Sequence, residues 1–192
     1  MDTAIKRIPL TQGYYALVDA DDYEQLSQYK WHVKVKSSGP YAYRTRGRKQ
    51  IPMHRQILNA PPGLYCDHIN HNGLDNRRCN LRLCTPQQNS FNRRPLLRKA
   101  SCRKRTSKYK GVHWDRQKRK WRAMIRHNGR LIHIGCFDNE LDAVIAYDDY
   151  AIELFGEFAY LNCHHRPEIR LWLTPVPTIP QRCPITIEDP IC

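Results

Sequence analysis

Apolar and aromatic residues in the first part of the chain come in short runs with partial alternation. Tyr14-Tyr15-Ala16-Leu17-Val18, Trp31-His32-Val33-Lys34-Val35 and Tyr41-Ala42-Tyr43-Arg44-Thr45 are β-branched or aromatic and predict strands. Between the first two, Asp21-Asp22-Tyr23-Glu24-Gln25-Leu26 predicts a short helix with acids at its start. Residues 5–58 therefore read as a small sheet with one helix, and this segment alone does not disclose a function. His54, in Met53-His54-Arg55, reads as a packing or orienting residue rather than a metal ligand.

The pattern then shifts to a polar hairpin over about 61–92. Asn72-Gly73 favours positive φ and predicts a tight strand connection. Thr85-Pro86-Gln87-Gln88 supplies a capping hydroxyl, a proline suited to the first helical position and a glutamine that closes a capping box. The order strand, turn, strand, helix places Asn89 on the first turns of that helix, where it can come back towards Asp67 and His68.

A basic stretch without clear periodicity, Arg93 to Lys108, precedes a second alternating region. Tyr109–Trp114, Trp121–Arg126 and Leu131–Gly135 predict three strands with short polar turns. On the middle one Trp121, Ala123 and Ile125 face one way, and Arg122, Met124 and Arg126 the other. Apolar positions at helical spacing then predict a helix from about Glu140 to Phe155, stopped at Gly156. The simplest packing lays this helix on the Trp121 face and leaves the Arg face open. From Arg166 onward six prolines predict an extended or disordered tail.

Charge sharpens the reading. Lys and Arg total 32 against 18 acids, a net charge of +14, and sixteen of those cations fall between Arg93 and Arg130 beside one acid, Asp115. That concentration implies a polyanionic partner, because neutralising phosphates releases counterions. No apolar run approaches the ~18 residues of a membrane span, and the first residues lack the apolar stretch of a secretory signal, so the chain is expected to act in the cytoplasm. Eight cysteines are present without a Cys-x-x-Cys pair, which fits free thiols in a reducing compartment.

Asp67-His68, Asn80 and Asn89 carry the candidate chemistry. Phosphodiester hydrolysis needs an activated water, charge stabilisation at the phosphate and help for the leaving oxygen. A neutral histidine supplies a base near working pH, and a divalent metal the other two terms. Asp67 offers a carboxylate and Asn89 an amide oxygen, donors that suit Mg²⁺ or Mn²⁺ better than zinc. Asn80, on the second strand, is the natural group to hydrogen-bond the backbone across the loop. In an ideal strand Asp67 and His68 would point to opposite faces, so a shared site requires the strand to twist or end there. Spacing alone leaves an ordinary Asx-rich polar hairpin open.

The pattern Asp67-His68-Ile69-Asn70 … Asn80-Leu81-Arg82 … Thr85 … Asn89 resembles the HNH homing endonucleases of phages. That resemblance implies His68 as general base, Asp67 and Asn89 as ligands of Mg²⁺ or Mn²⁺, and Asn80 as structural support. Arg77, Arg78 and Arg82 are candidate phosphate clamps. Residues 108–162 resemble the DNA-binding domain of plant ethylene-response factors (the AP-two family). The carrying residues are Tyr109-Lys110-Gly111-Val112, Trp121–Arg126, Gly135-Cys136-Phe137, Ala146-Tyr147-Asp148 and Leu161-Asn162. In that family a three-stranded sheet lies in the major groove, which implies DNA contacts at Lys110, His113, Arg122, Arg126 and His133. Met124, Leu131 and His133 depart from the usual plant residues, so base preference does not transfer.

Together these readings predict an α+β chain: a β-rich region over 1–60, a ββα-metal nuclease core over 61–92, a basic linker over 93–107 that includes Arg93 and Arg94 as DNA contacts, a binding domain over 108–162 and a Pro-rich tail over 163–192. The expected function is metal-dependent, site-specific cleavage of double-stranded DNA by a monomer, nicking one strand, with no membrane and no small-molecule cofactor besides the metal. The alternative is a non-enzymatic DNA-binding or regulatory protein that keeps a decayed hairpin as scaffold. RNA binding through the basic stretch lacks an RNA-type aromatic motif.

Overall fold

The computed structural model describes residues 4–95 and 106–164. Most of the basic connector and the Pro-rich tail lie outside the described residues. The fold is α+β, with small antiparallel sheets and few helices, and it divides into two compact units, one running to Asn89 and one beginning at Ser90.

The first unit opens with a two-stranded sheet, β1 (Ile5–Pro9) against β2 (Tyr15–Asp19), followed by α1 (Ala20–Ser27). A second sheet has the order β3 (His32–Lys36), β4 (Gly39–Arg46), β5 (Lys49–Pro52), and leads into α2 (Met53–Ile57). The hairpin follows as β6 (Tyr65–His68) and β7 (Leu81–Cys84), and then α3 (Pro86–Phe91). Burial of alternate positions such as Ala16 and Val18 builds one core with Leu26, Trp31, Val33, Ala42, Met53 and Ile57. Leu81 of β7 belongs to that same core, so the hairpin rests on the N-terminal region.

The connection from β6 to β7 is not a tight turn at Asn72-Gly73. It is a long loop in which positive φ falls on His71 (φ 63), and it is fastened to β2: Leu17 donates its N–H to the Leu74 carbonyl, and Asn76 donates to the Leu17 carbonyl, each at 2.8 Å. Gly73 serves a different purpose from the one its turn propensity suggests. A Cβ there would stand 2.5 Å from both the Pro40 carbonyl oxygen and the Tyr41 ring, so only glycine lets the loop lie flush on β4. The capping box at α3 forms as the sequence predicts, with Gln88 N–H on Thr85 Oγ1 and Thr85 N–H on Gln88 Oε1.

The second unit pairs β8 (Val112–Asp115), β9 (Lys120–His127) and β10 (Arg130–Phe137) with β9 in the middle, and α4 (Glu140–Phe155) crosses one face. Asn139 caps α4 by accepting from the Leu141 N–H, and Gly156 ends it at φ 53. Ala123 and Ile125 are buried against Ala143, Val144, Tyr147 and Ala151, which puts the helix on the face the alternation predicts. A polar latch closes this unit. The buried Asp148 carboxylate accepts from the N–H groups of Asn162 and Cys163, while Asn162 Oδ1 accepts from the Lys110 N–H at 2.8 Å. Among the described residues no helix is long and apolar enough to cross a membrane.

Candidate active site

Asp67 and His68 are the last two residues of β6, and both are nearly buried, at 8% and 6% exposure. Asp67 stands directly opposite Arg82 in the β6–β7 register. Arg82 Nε and Nη2 both reach Asp67 Oδ2, at 3.0 and 2.7 Å, in an ion pair that water hardly touches. The strand ends at His68, which frees the chain from strict alternation beyond it.

The His68 ring is oriented by Asn76. Asn76 Nδ2 donates to the Gly73 carbonyl, and this fixes Oδ1 towards His68 Nε2 at 3.4 Å. An amide oxygen only accepts, so this contact favours the tautomer with the proton on Nε2. Burial holds the His68 pKa below its ordinary value, against the opposing pull of the Asn76 hydrogen bond and the Asp67 and Asp75 charges. Burial thus favours the neutral ring, the form a general base requires.

Asn80 is buried and braces the loop from inside. Its Oδ1 accepts from the Asn70 N–H at 2.9 Å and its Nδ2 donates to the Asp75 carbonyl at 2.8 Å. Asp75 in turn accepts from the Arg77 backbone N–H, from Arg77 Nε and Nη2, and from Asn70 Nδ2. Arg78 is tied to the junction of β2 and α1: its N–H reaches Asp19 at the end of β2, and its guanidinium pairs with Asp22 of α1 at 2.6 Å. The guanidinium groups of Arg77 and Arg82 are thus buried in pairs within the protein, while the Arg78 side chain stays more than half exposed. Asn89 sits half-buried in α3, with its N–H on the Thr85 carbonyl, and its carboxamide makes no hydrogen bond among the described residues.

Two contributors carry no advance sequence signal of their own. Asn76 looks like one more turn-forming Asx residue, and Tyr41 like a strand aromatic. Yet the Tyr41 ring lies 5.7 Å from the His68 ring and 6.1 Å from that of His54. Only the glycine at 73 hints that something presses on the loop.

Among the described residues no cluster of three or more His, Cys, Asp or Glu is arranged to hold an ion. A carboxylate and a carboxamide alone still fit Mg²⁺ or Mn²⁺, which commonly take one or two protein oxygens and fill the shell with water and substrate phosphate.

In the second unit the open face of β9 carries Arg122, Met124 and Arg126. His113 and Cys136 stand across from Arg122, His133 across from Met124, and Leu131 across from Arg126. Arg126, Leu131 and His133 are exposed, and Arg122 is half-buried on Asp115 at 3.2 Å. Burial and the Arg122 charge hold His113 below the ordinary histidine range. Lys110 points inward: its Nζ donates to the Phe91 carbonyl at 2.6 Å and lies over the Tyr160 ring. Arg93 and Arg94 are exposed.

A family model described as HNH endonuclease matches residues 59–91. Over 157 residues the chain is 36% identical to an uncharacterized HNH endonuclease of Acanthamoeba polyphaga mimivirus, covering 79% of this chain and 76% of that protein. Over 111 residues it is 32% identical to Protein 3.8 of Escherichia phage T7, covering 55% of this chain and 86% of the relative. No solved structure matches the chain.

Proposed function

The chain belongs to the HNH endonuclease family, and from that premise we propose that it is a metal-dependent, site-specific endonuclease that nicks double-stranded DNA. The observation that carries this reading is His68 buried beside Asp67 at the end of β6, with Asn76 Oδ1 3.4 Å from its Nε2. His68 Nδ1 takes the proton from the attacking water. Asp67 and Asn89 would hold Mg²⁺ or Mn²⁺, which would supply charge stabilisation at the phosphate and at the leaving oxygen. Asn80 keeps the loop in register through the Asn70 N–H and the Asp75 carbonyl. One hairpin gives one centre, so a monomer cuts one strand.

Target recognition belongs to the second unit. The likeness of residues 108–162 to the ethylene-response-factor domain, and an open sheet face with Arg122, Arg126 and His133, support docking of β8–β10 in the major groove. His113 contributes at the edge of that face, and Arg93, Arg94 and Arg78 meet phosphates. Lys110, Arg77 and Arg82 act from within the protein, as their internal partners indicate.

The test is duplex DNA bearing candidate insertion sites, incubated with the chain in Mg²⁺ or Mn²⁺ and again with chelator. Cutting only with metal supports the reading. Retention of DNA without cutting in either metal speaks for a binding protein built on a nuclease scaffold.

A further inference from the structure

His54 lies outside the hairpin, at the second position of α2, and the Asn76 contact that orients His68 does not involve it. Its ring centroid is nevertheless 5.0 Å from that of His68, with the planes 80° apart. Tyr41 backs both rings, so Tyr41, His54 and His68 form one aromatic corner. The position is firmly held. Met53 on one side is fully buried. Arg55 on the other donates from Nη1 to the Leu64 carbonyl at 2.7 Å and from Nη2 to the Ala60 and Pro61 carbonyls.

His54 Nδ1 is buried and has no hydrogen-bond partner among the described residues. Buried polar atoms are nearly always paired, and an exception calls for a cause. Burial, His68, Lys36 and Arg55 all disfavour its cation and take its pKa down to about 3, so the ring is neutral. A neutral imidazole keeps one N–H to donate and one lone pair to accept. Two hydrogen bonds of about 3 Å each, meeting at one oxygen, are long enough to join rings at this separation.

We propose that His54 is a second imidazole of the reaction site, one that hydrogen-bonds the scissile phosphate while His68 acts on the water beside it. The N-terminal region then supplies a substrate contact to the nuclease hairpin as well as a foundation for it. No proton is gained or lost at His54: His68 takes the proton from water, and His54 fixes the phosphate oxygen against which attack is aimed. This inference rests on the endonuclease reading.

The test is single-turnover cleavage by the full chain, with DNA affinity and melting temperature measured alongside, for wild type, His54→Phe, His54→Asn and His54→Gln. Phe keeps the ring packing on His68 and Tyr41 and removes the hydrogen bond. Asn places an amide about where Nδ1 stands, and Gln about where Nε2 stands. The expected result is a rate loss on the order of 10²-fold in His54→Phe, the scale of one lost donor at a reacting oxyanion, with melting unchanged, DNA affinity lowered far less than the rate, and part of the rate restored by one of the amides. Wild-type rates in His54→Phe, or equal losses in all three variants, would mark a packing residue and overturn the proposal. Should His54→Phe lose its melting transition, the amide pair decides: unequal rates support the contact and equal rates overturn it. A wild-type protein that cuts nothing removes the endonuclease reading and this inference with it, whereas a wild type that cuts no faster than His54→Phe removes the inference alone.

Discussion

Asp67 and Arg82 face each other across the β6–β7 ladder, Nη2 to Oδ2 at 2.7 Å, with both side chains more than nine-tenths out of water. The same carboxylate is therefore a structural partner of Arg82 and the proposed holder of the metal. Removing the arginine leaves a buried charge without compensation, a loss of about 3–5 kcal/mol in comparable pairs. Arg82→Ala should lower the denaturant midpoint accordingly, and Arg82→Lys should recover little, because an ammonium cannot present Nε and Nη2 together. A midpoint within experimental error of wild type would show that the pair contributes nothing.

Gly111 adopts φ +75, and a Cβ there would run into the Tyr147 ring. Gly111→Ala should destabilise the second unit by at least about 1–3 kcal/mol, the scale of a strained left-handed residue. DNA affinity should fall in step with the folded fraction. Thermal melting read beside DNA binding checks both.

Lys110 gives a pH dependence. Burial pushes its ammonium down to about 8 from 10.5, against the pull of Asp148. The unfolded chain then binds more protons than the folded one between those values, so stability rises with pH over that window and the cost is fully present below about 8. Stability profiles of wild type and Lys110→Met should converge or cross as pH rises from 8 to 10.5. Parallel profiles over that range would contradict the inward placement of this lysine.

Arg126 is exposed on the open face of β9, with one hydrogen bond to the Gly129 carbonyl. Arg126→Ala should weaken target binding by about 1–3 kcal/mol if it reads a guanine edge, and should leave the metal dependence of cutting unchanged. Loss of metal dependence instead would break the division of labour between the two units.

Local chemistry was legible where it decides structure. Thr85, Pro86 and Gln88 announce α3 through capping, and α4 follows from apolar spacing between Asn139 and Gly156. The alternation of Ala123 and Ile125 with Arg122 and Arg126 assigns the two faces of β9. Elements whose side chains are mostly solvated were not legible: β1 and β5, Ile-Lys-Arg-Ile-Pro and Lys-Gln-Ile-Pro, carry little periodic signal and owe their pairing to neighbours.

At the candidate site, Asp67, His68, Asn80 and Asn89 stood out through their resemblance to the HNH pattern, spacing alone leaving an ordinary polar hairpin open. Long-range contacts did not. The reading of Asn72-Gly73 as a tight turn failed because backbone hydrogen bonds to Leu17 outweigh local turn preference. The approach of Tyr41 and His54 to His68 depends on how two sheets pack, which residue spacing cannot carry.

The most direct measurement is conversion of supercoiled DNA containing a candidate target site, in Mg²⁺ or Mn²⁺, by wild type and His68→Ala at matched DNA occupancy. Open-circular product is expected from wild type and none from His68→Ala, with both proteins binding the DNA alike. Equal cutting by the two proteins, or loss of binding together with cutting in His68→Ala, would contradict a catalytic His68.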